Sequence, residues 1–176
     1  PDVNKLVIVE GIYSMLGDRA PLKEIVTVAK KYGAYILVDE AHSLGVLGQT
    51  GRGLAQEAGV EDDIDFIVGT FSKSVGTIGG FCVSNHAALN TVRFAARAYM
   101  FTASLPPSVV ASASRTLKRI GEDRSLQEKL WENAAMLYDG LVARGFTVGP
   151  EKTPVIGVQL PDVQSALMAW RFLLEN

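Results

Sequence analysis

The sequence predicts an α/β fold with a mainly parallel sheet. Three short apolar runs, at residues 6–9, 34–38 and 66–68, are each followed within two positions by a polar residue. Between the first two runs, apolar side chains recur at helical spacing from Leu22 to Tyr32. A strand, a helix and a second strand in this order form a βαβ unit, in which the two strands lie parallel.

The bounds of the first elements can be predicted from the residues that typically start and end helices and strands. The helix is expected over residues 21–32, because Pro21 suits a first helical turn and Gly33 suits a C-terminal stop. The run at 34–38 is apolar at every position, which is typical of a strand buried on both faces of a parallel sheet. Two carboxylates, Asp39 and Glu40, follow that run, so at least one should meet a positive charge or water.

Two glycine-rich segments follow. The turn after residues 65–69 leads to residues 80–84, which are predicted to return as an antiparallel strand because the connection is short. Cys82, the one cysteine of the chain, lies on this strand and is predicted to pack in the interior. Residues 45–53 lack the lysine of a phosphate-binding loop and are predicted to form a mobile surface loop.

The next part of the chain is predicted to be helical. One helix is expected over residues 87–96. A second begins at Pro106-Pro107, with Ser104 as its cap and Gly121 at its end.

Three more elements complete the chain. A long helix around residues 126–141 is closed by Gly145, and a strand is expected over residues 155–160. Asp162 caps a final helix whose apolar side chains are predicted to face inward. These inward residues are Val163, Leu167, Trp170 and Leu174.

Composition excludes several classes of protein. The 176 residues are 48% hydrophobic with a net charge of −2, so the chain lacks the excess of positive charge that is typical of nucleic-acid-binding proteins. A single cysteine cannot form an internal disulfide, which favours a reducing, cytoplasmic location. No apolar run in this segment is long enough to span a bilayer, so any peripheral membrane contact is left to segments outside it.

The strongest chemical signal is Lys73, which lies among hydroxyl and glycine residues just after an apolar strand. Such a lysine can form a Schiff base while neighbouring hydroxyls and backbone N–H groups bind a phosphate, a combination that suggests pyridoxal phosphate (PLP). Asp39 and His42 follow the neighbouring apolar run. Since ligands of open α/β sheets collect at the carboxyl ends of the strands, these residues are expected to share one edge. Taken alone, Lys73 also fits a surface lysine in a flexible loop.

Three motifs carry a resemblance to a known family. Residues 10–22 (EGIYSMLGDRAPL), 38–45 (VDEAHSLG) and 70–80 (TFSKSVGTIGG) resemble the α-oxoamine synthases. These PLP-dependent enzymes of fold type I, the aminotransferase-like fold, condense an amino acid with an acyl thioester and release carbon dioxide. The resemblance covers nearly the whole chain to about Ser108. From the order of the predicted elements we place a domain boundary near Lys118: residues 1–118 are predicted to be part of the PLP-binding catalytic domain, and residues 119–176 to begin a small α+β C-terminal domain.

The resemblance also implies a role for each site residue. Lys73 would hold the cofactor as an imine, and Asp39 would pair with the pyridine N–H, which keeps the ring an electron sink. His42 would bond the phenolic oxygen of the cofactor, with Ser14 beside it. The remaining cofactor-binding residues are assigned to the phosphate: Thr70 and Ser72 in the same subunit, and Thr102 and Ala103 in the partner subunit of a homodimer.

Family members are about twice as long, so the chain is expected to be a fragment. Leu16, residues 74–77 and residues 101–107 most resemble the branch that joins L-serine to palmitoyl-CoA, a long-chain acyl-CoA, in the first step of sphingolipid synthesis. Other members remain open: 8-amino-7-oxononanoate synthase, 2-amino-3-ketobutyrate CoA ligase and 5-aminolevulinate synthase.

Two other classes compete with this interpretation. Residues 36–42 (ILVDEAH) also look like the magnesium-binding strand of DEAH-box helicases, but that class leaves Lys73 unexplained and needs a basic nucleic-acid channel. A non-catalytic partner subunit with the same fold is expected to lack the imine lysine, and Lys73 is present.

Overall fold

The computed structural model describes residues 3–176, and a four-stranded sheet forms its centre. Strands β1 (Leu6–Glu10), β2 (Tyr35–Asp39) and β3 (Phe66–Thr70) run parallel, and β4 (Gly80–Val83) returns antiparallel beside β3. The strands lie side by side in chain order. The predicted parallel strands and the antiparallel return strand are confirmed.

Helix α1 (Leu22–Lys31) joins β1 to β2 and completes the predicted βαβ unit. Gly33 follows its last turn with a φ of +60°, a backbone conformation that glycine adopts without strain. The buried face of α1 carries Leu22, Val26 and Ala29, which join one core cluster with the buried residues of the sheet. Burial of each large aliphatic side chain contributes about 1.5–3 kcal/mol to this packing.

The described chain buries mainly one face of strand β2. Ile36 and Val38 of β2 are buried in the core cluster, whereas Tyr35 is exposed and Leu37 is half-buried. Successive strand residues point to opposite faces, so the core and its helices lie on the side of Ile36 and Val38. The expected burial of β2 on both faces is therefore wrong for this chain. Asp39 follows Tyr35 and Leu37 in the alternation and lies on the open face.

Residues 45–53 are packed, and the prediction of a mobile surface loop is wrong. Val46 and Leu47 are buried, and the Trp131 indole N–H donates to the Val46 carbonyl at 2.9 Å. The segment leads into the short helix α2 (Leu54–Ala58), and a 3₁₀ turn at Glu61–Asp63 precedes β3. Its glycines allow close packing rather than mobility.

Helices α3 (Leu89–Ala95) and α4 (Arg97–Met100) follow β4, so the helix expected over residues 87–96 is shorter than predicted. Cys82 on β4 is exposed, which contradicts its predicted interior packing.

Helix α5 (Pro107–Glu122) begins as expected at the proline pair, but Pro106 occupies the N-cap position. Ser104 lies two residues too early to cap the helix, and no side-chain cap forms. Gly121 lies inside α5 instead of ending it.

Helix α6 (Ser125–Ala143) is closed by Gly145, whose φ is +80°. Strands β5 (Thr147–Val148) and β6 (Val158–Gln159) form a small antiparallel pair, so the strand expected over 155–160 is mostly irregular.

Helix α7 (Val163–Glu175) is capped as predicted, with the Ser165 N–H donating to the Asp162 carboxylate at 2.7 Å. Its expected inward residues are exposed, because no other described element covers this helix: Val163, Leu167, Trp170 and Leu174. Lys118, the predicted domain boundary, lies inside α5, and the division into two domains stays a prediction. None of the helices described between residues 3 and 176 is both long and apolar enough to cross a membrane.

Candidate active site

The carboxyl ends of β1, β2 and β3 meet at one edge of the sheet, with Asp39 at its centre. In the strand register Asp39 lies between Glu10 of β1 and Val68 of β3. The backbone ladder continues beyond the strands, because the Gly11 N–H donates to the Asp39 carbonyl at 2.8 Å and the Glu40 N–H donates to the Val68 carbonyl at 2.8 Å. These bonds fix the backbone of Asp39 from both sides.

The Asp39 side chain is half-buried, and only one of its two carboxylate oxygens accepts a hydrogen bond from a described residue. Its Oδ1 accepts a hydrogen bond from the Ala41 N–H at 2.8 Å, which holds the side chain in one orientation. Within residues 3–176, Oδ2 accepts no further hydrogen bond. An ionised carboxylate has acceptor sites on both oxygens, so Oδ2 can receive a donor from a ligand.

His42 lies in the turn that follows β2, three residues after Asp39, and is half-buried. The turn is held by two backbone bonds to the Glu40 carbonyl, from Ser43 N–H at 3.1 Å and from Leu44 N–H at 2.8 Å. The imidazole makes no hydrogen bond to another residue between 3 and 176. Its nitrogens are therefore open to a ligand at the same edge.

The turn that carries Lys73 is closed by its own backbone. Phe71 N–H donates to the Gly79 carbonyl at 2.9 Å, and Thr77 N–H donates to the Phe71 carbonyl at 2.8 Å. At the start of the turn, the hydroxyls of Thr70 and Ser72 lie 2.8 Å apart. The structure therefore brings the two predicted phosphate ligands together at the end of β3.

Val75 anchors this turn in the protein, while Lys73 stays exposed. The Val75 side chain is only 4% exposed and packs in a second core cluster with Leu44 and Ala113. Gly45, with a φ of +77°, lies so close that a Cβ atom there would be 2.9 Å from the Ser74 Cβ. The Lys73 turn is thus fixed against the segment that follows His42. Lys73 forms no ion pair with any described residue, which leaves its amine available.

Glu40 is a fully buried carboxylate without a predicted role. Its side chain is 0% exposed and accepts hydrogen bonds from Ala55 N–H at 2.8 Å, from Leu54 N–H at 2.9 Å and from the Ser43 hydroxyl. Burial raises the pKa of Glu40, although these hydrogen bonds act to lower it. Of the two carboxylates, Asp39 is half-buried and so partly open to solvent, whereas Glu40 is fully buried and accepts hydrogen bonds from three donors.

Two glycines, Gly11 and Gly53, pack against the Glu40 carboxylate and are the sign of this network in the sequence. A Cβ atom at Gly11 would lie 2.3 Å from Glu40 Oε2, and one at Gly53 would lie at the same distance. Glu40 therefore ties the turn that bears His42 to the start of α2 and to the segment after β1. Glycine spacing alone could not identify this contact, because the residues are far apart in sequence.

The other predicted ligands lie on exposed segments. Ser14 is exposed in the connection from β1 to α1, and Thr102 and Ala103 are exposed between α4 and α5. The latter segment runs beside the Lys73 turn of its own chain, since a Cβ atom at Gly79 would lie 2.8 Å from the Leu105 side chain. The roles of all eight predicted site residues stay predictions.

Comparison with known proteins places this arrangement in a family. The model of the aminotransferase class I and II family matches residues 1–176. A serine palmitoyltransferase from Caulobacter vibrioides is 57% identical over 171 residues, which are 97% of this chain and 42% of that protein. An 8-amino-7-oxononanoate synthase from Alkaliphilus metalliredigens is 38% identical over 98% of this chain and 44% of that protein.

A solved structure gives the same result. A variant serine palmitoyltransferase from S. paucimobilis, with a bound adduct of PLP and myriocin, superposes with a TM-score of 0.93 at 54% identity. The superposition covers 99% of this chain and 46% of that chain. The chain thus spans less than half the length of the relatives it matches. The predicted aminotransferase-like fold of type I is confirmed, and the chain belongs to the aminotransferase class I and II family.

Proposed function

We propose that the protein containing this chain is a PLP-dependent acyltransferase of the α-oxoamine synthase type. It condenses L-serine with palmitoyl-CoA and yields 3-ketodihydrosphingosine, free coenzyme A and carbon dioxide, the first step of sphingolipid synthesis. The observation that carries the proposal is the gathering of Asp39, His42 and the Lys73 turn at one sheet edge. Relatives named serine palmitoyltransferase at 57% and 55% identity support the choice of substrates.

The residues at this edge fit PLP by their chemistry. Within residues 3–176, the exposed amine of Lys73 has no ion-pair partner and Asp39 Oδ2 accepts no hydrogen bond, so both can serve a ligand. The hydroxyls of Thr70 and Ser72 lie 2.8 Å apart, near enough to bind one phosphate together. When bound, PLP supplies an electron sink for the negative charge that develops at the amino-acid Cα.

Each residue then has a defined task. Lys73 holds the cofactor before the amino acid arrives, and its freed amine removes the Cα proton of L-serine. Asp39 keeps a proton on the ring nitrogen by opposite charge. His42 would form a hydrogen bond with the phenolic oxygen and so orient the ring, and Ser14 would lie beside it. Thr70 and Ser72 hold the phosphate and so prevent the ring from sliding along the edge.

The proposal includes a homodimer with shared sites. Thr102 and Ala103 would reach the phosphate of the partner subunit, and their exposure on this chain is compatible with that role. The test is to refold Lys73→Ala chains together with Thr102→Ala chains in the full-length protein. Mixed dimers contain one site with both defects and one with neither, so activity should partly return. No return of activity in verified mixed dimers would contradict the shared site.

A labelling experiment tests the cofactor assignment. Full-length protein should be yellow, and borohydride should link the cofactor irreversibly to Lys73, as mapped by peptide mass spectrometry. Lys73→Ala should remain unlabelled, and Lys31→Ala, which changes an exposed lysine at the end of α1, should label like the wild type. An adduct on any other lysine would overturn the assignment.

A product assay tests the substrates. Full-length enzyme is supplied with L-serine, glycine or L-alanine against a series of acyl thioesters. The proposal expects the highest kcat/KM for L-serine with palmitoyl-CoA. Preference for L-alanine with a short dicarboxylic thioester would favour the 8-amino-7-oxononanoate synthase alternative, to which a 38% identical relative points. The cytoplasmic location and any membrane contact stay predictions.

A further inference from the structure

The connection between β1 and α1, which carries Ser14, packs against a segment more than 130 residues later in the chain. Residues 13–19, which we call the Ser14 loop, close on themselves: Gly17 N–H donates to the Tyr13 carbonyl at 3.0 Å, and Tyr13 N–H donates to the Asp18 carbonyl at 2.8 Å. Gly17 has a φ of +76°. Ser14 itself is exposed, so the loop backbone determines where it points.

Residues 149–157, which we call the clamp segment, pack directly on this loop. Thr153 is 0% exposed, and its hydroxyl donates to the Gly17 carbonyl at 2.7 Å. The two backbones touch, since a Cβ atom at Gly149 would lie 1.9 Å from the Leu16 carbonyl oxygen. A Cβ atom at Gly157 would lie 2.6 Å from the Met15 carbonyl oxygen. The backbone of the Ser14 loop therefore packs directly against the backbone of the clamp segment.

An ion pair closes the outer side of the same contact. Arg19 donates to Glu151 twice, from its backbone N–H at 3.1 Å and from Nε at 2.6 Å, and its Nη1 donates to Glu57 of α2 at 2.8 Å. Desolvation acts to raise the pKa of Glu151, but the hydrogen bonds and charge of Arg19 outweigh it, so the pKa is lowered. Glu151 is therefore held in its ionised form at neutral pH.

We propose that the clamp segment positions Ser14 at the catalytic edge, and that Thr153 is the positioning residue through which it acts. This inference rests on the proposed function, in which Ser14 lies beside His42 and the cofactor. Thr153 touches neither substrate nor cofactor in this scheme. Its hydroxyl fixes Gly17, Gly17 fixes the loop, and the loop fixes Ser14.

The test compares the full-length holoenzyme with three variants, each of which changes one threonine. Thr153→Val removes the hydroxyl at nearly constant volume, Thr153→Ser keeps it, and Thr147→Val makes the same change at an exposed threonine of β5 as a control. The readouts are the pH midpoint of the visible cofactor absorbance, the KM for L-serine, kcat and the thermal midpoint. Thr153→Val should raise KM by about three- to tenfold, the scale of one lost hydrogen bond, and shift the absorbance midpoint. Thr153→Ser and Thr147→Val should resemble the wild type.

A double-mutant cycle separates positioning from simple stability. If Thr153 acts through Ser14, the effects of Thr153→Val on KM and on the absorbance midpoint should vanish in a Ser14→Ala background. A lower thermal midpoint with unchanged KM and absorbance, or effects that persist without the Ser14 hydroxyl, would overturn the inference. Glu151→Gln carries the same test if Thr153→Val does not fold. Borohydride labelling of Lys73 in the wild type keeps the result separate from a failure of the proposed function.

Discussion

Replacing Gly11 by Ala should destabilise the candidate site, because Gly11 packs against two buried side chains that are distant from it in sequence. Gly11 comes directly after β1, and its backbone N–H is bonded to Asp39. An added Cβ atom would lie 2.2 Å from the Ser43 hydroxyl and 2.3 Å from Glu40 Oε2. Both distances are more than 1 Å shorter than ordinary contacts of 3.4–4 Å. Since both neighbours are fully buried, they cannot move aside into solvent.

The expected cost follows from two effects. Forcing extra volume into a packed site costs about 1–3 kcal/mol. Displacing the buried Glu40 carboxylate from its donors costs about 1.5–3 kcal/mol more. We therefore expect Gly11→Ala to lower the free energy of unfolding of the full-length protein by about 2.5–6 kcal/mol. The displaced turn also carries His42, so cofactor affinity should fall with stability.

The assay compares denaturant and thermal unfolding of two glycine variants. Gly121 lies inside α5, and nothing lies within 4 Å of a Cβ atom placed there. Gly121→Ala should therefore stabilise the protein by about 0.5–1 kcal/mol. Combining Gly11→Ala with Ser43→Ala removes one of the two clashing atoms and should restore part of the loss. Equal stability of Gly11→Ala and the wild type would refute the packing argument around Glu40.

Three further predictions concern the site and its supports. Asp39→Asn should retain bound cofactor but lower kcat/KM by about 100-fold or more, and near-normal turnover would exclude the role given to Asp39. The pKa of Glu40 is raised above its ordinary 4.5, so the stability that Glu40 contributes is complete below pH 4.5 and is lost as the pH rises through the raised pKa. The wild type should therefore lose stability relative to Glu40→Gln as the pH increases, as measured by urea unfolding from about pH 4 upward. A stability difference that does not change with pH would contradict this prediction. Tyr138→Phe removes a hydrogen bond of 2.9 Å to the Gly149 carbonyl and should cost about 1 kcal/mol, whereas an unchanged unfolding midpoint would show that the bond contributes nothing.

The sequence by itself determined the strands of the sheet, their directions and the sheet edge at which the candidate site lies. Short apolar runs that end in polar residues specify strands locally, and the helical spacing from Leu22 to Tyr32 specifies the crossover between them. Because parallel strands must present their carboxyl ends at one edge, Asp39 and the Lys73 turn could be placed together before any coordinates. These inferences depend on nearest neighbours along the chain or on a single topological rule.

Contacts between distant segments were decided only by the tertiary structure. The burial of Glu40 depends on Leu54 and Ala55, and the position of the Ser14 loop depends on Thr153, which lies 136 residues from Gly17. The apolar pattern also predicted that α7 packs inward, yet its large side chains are exposed, since periodicity records which face of a helix is apolar and not what covers it. Burial is a property of the whole packed chain, so local pattern fixes the elements of this site but not the partners that hold them.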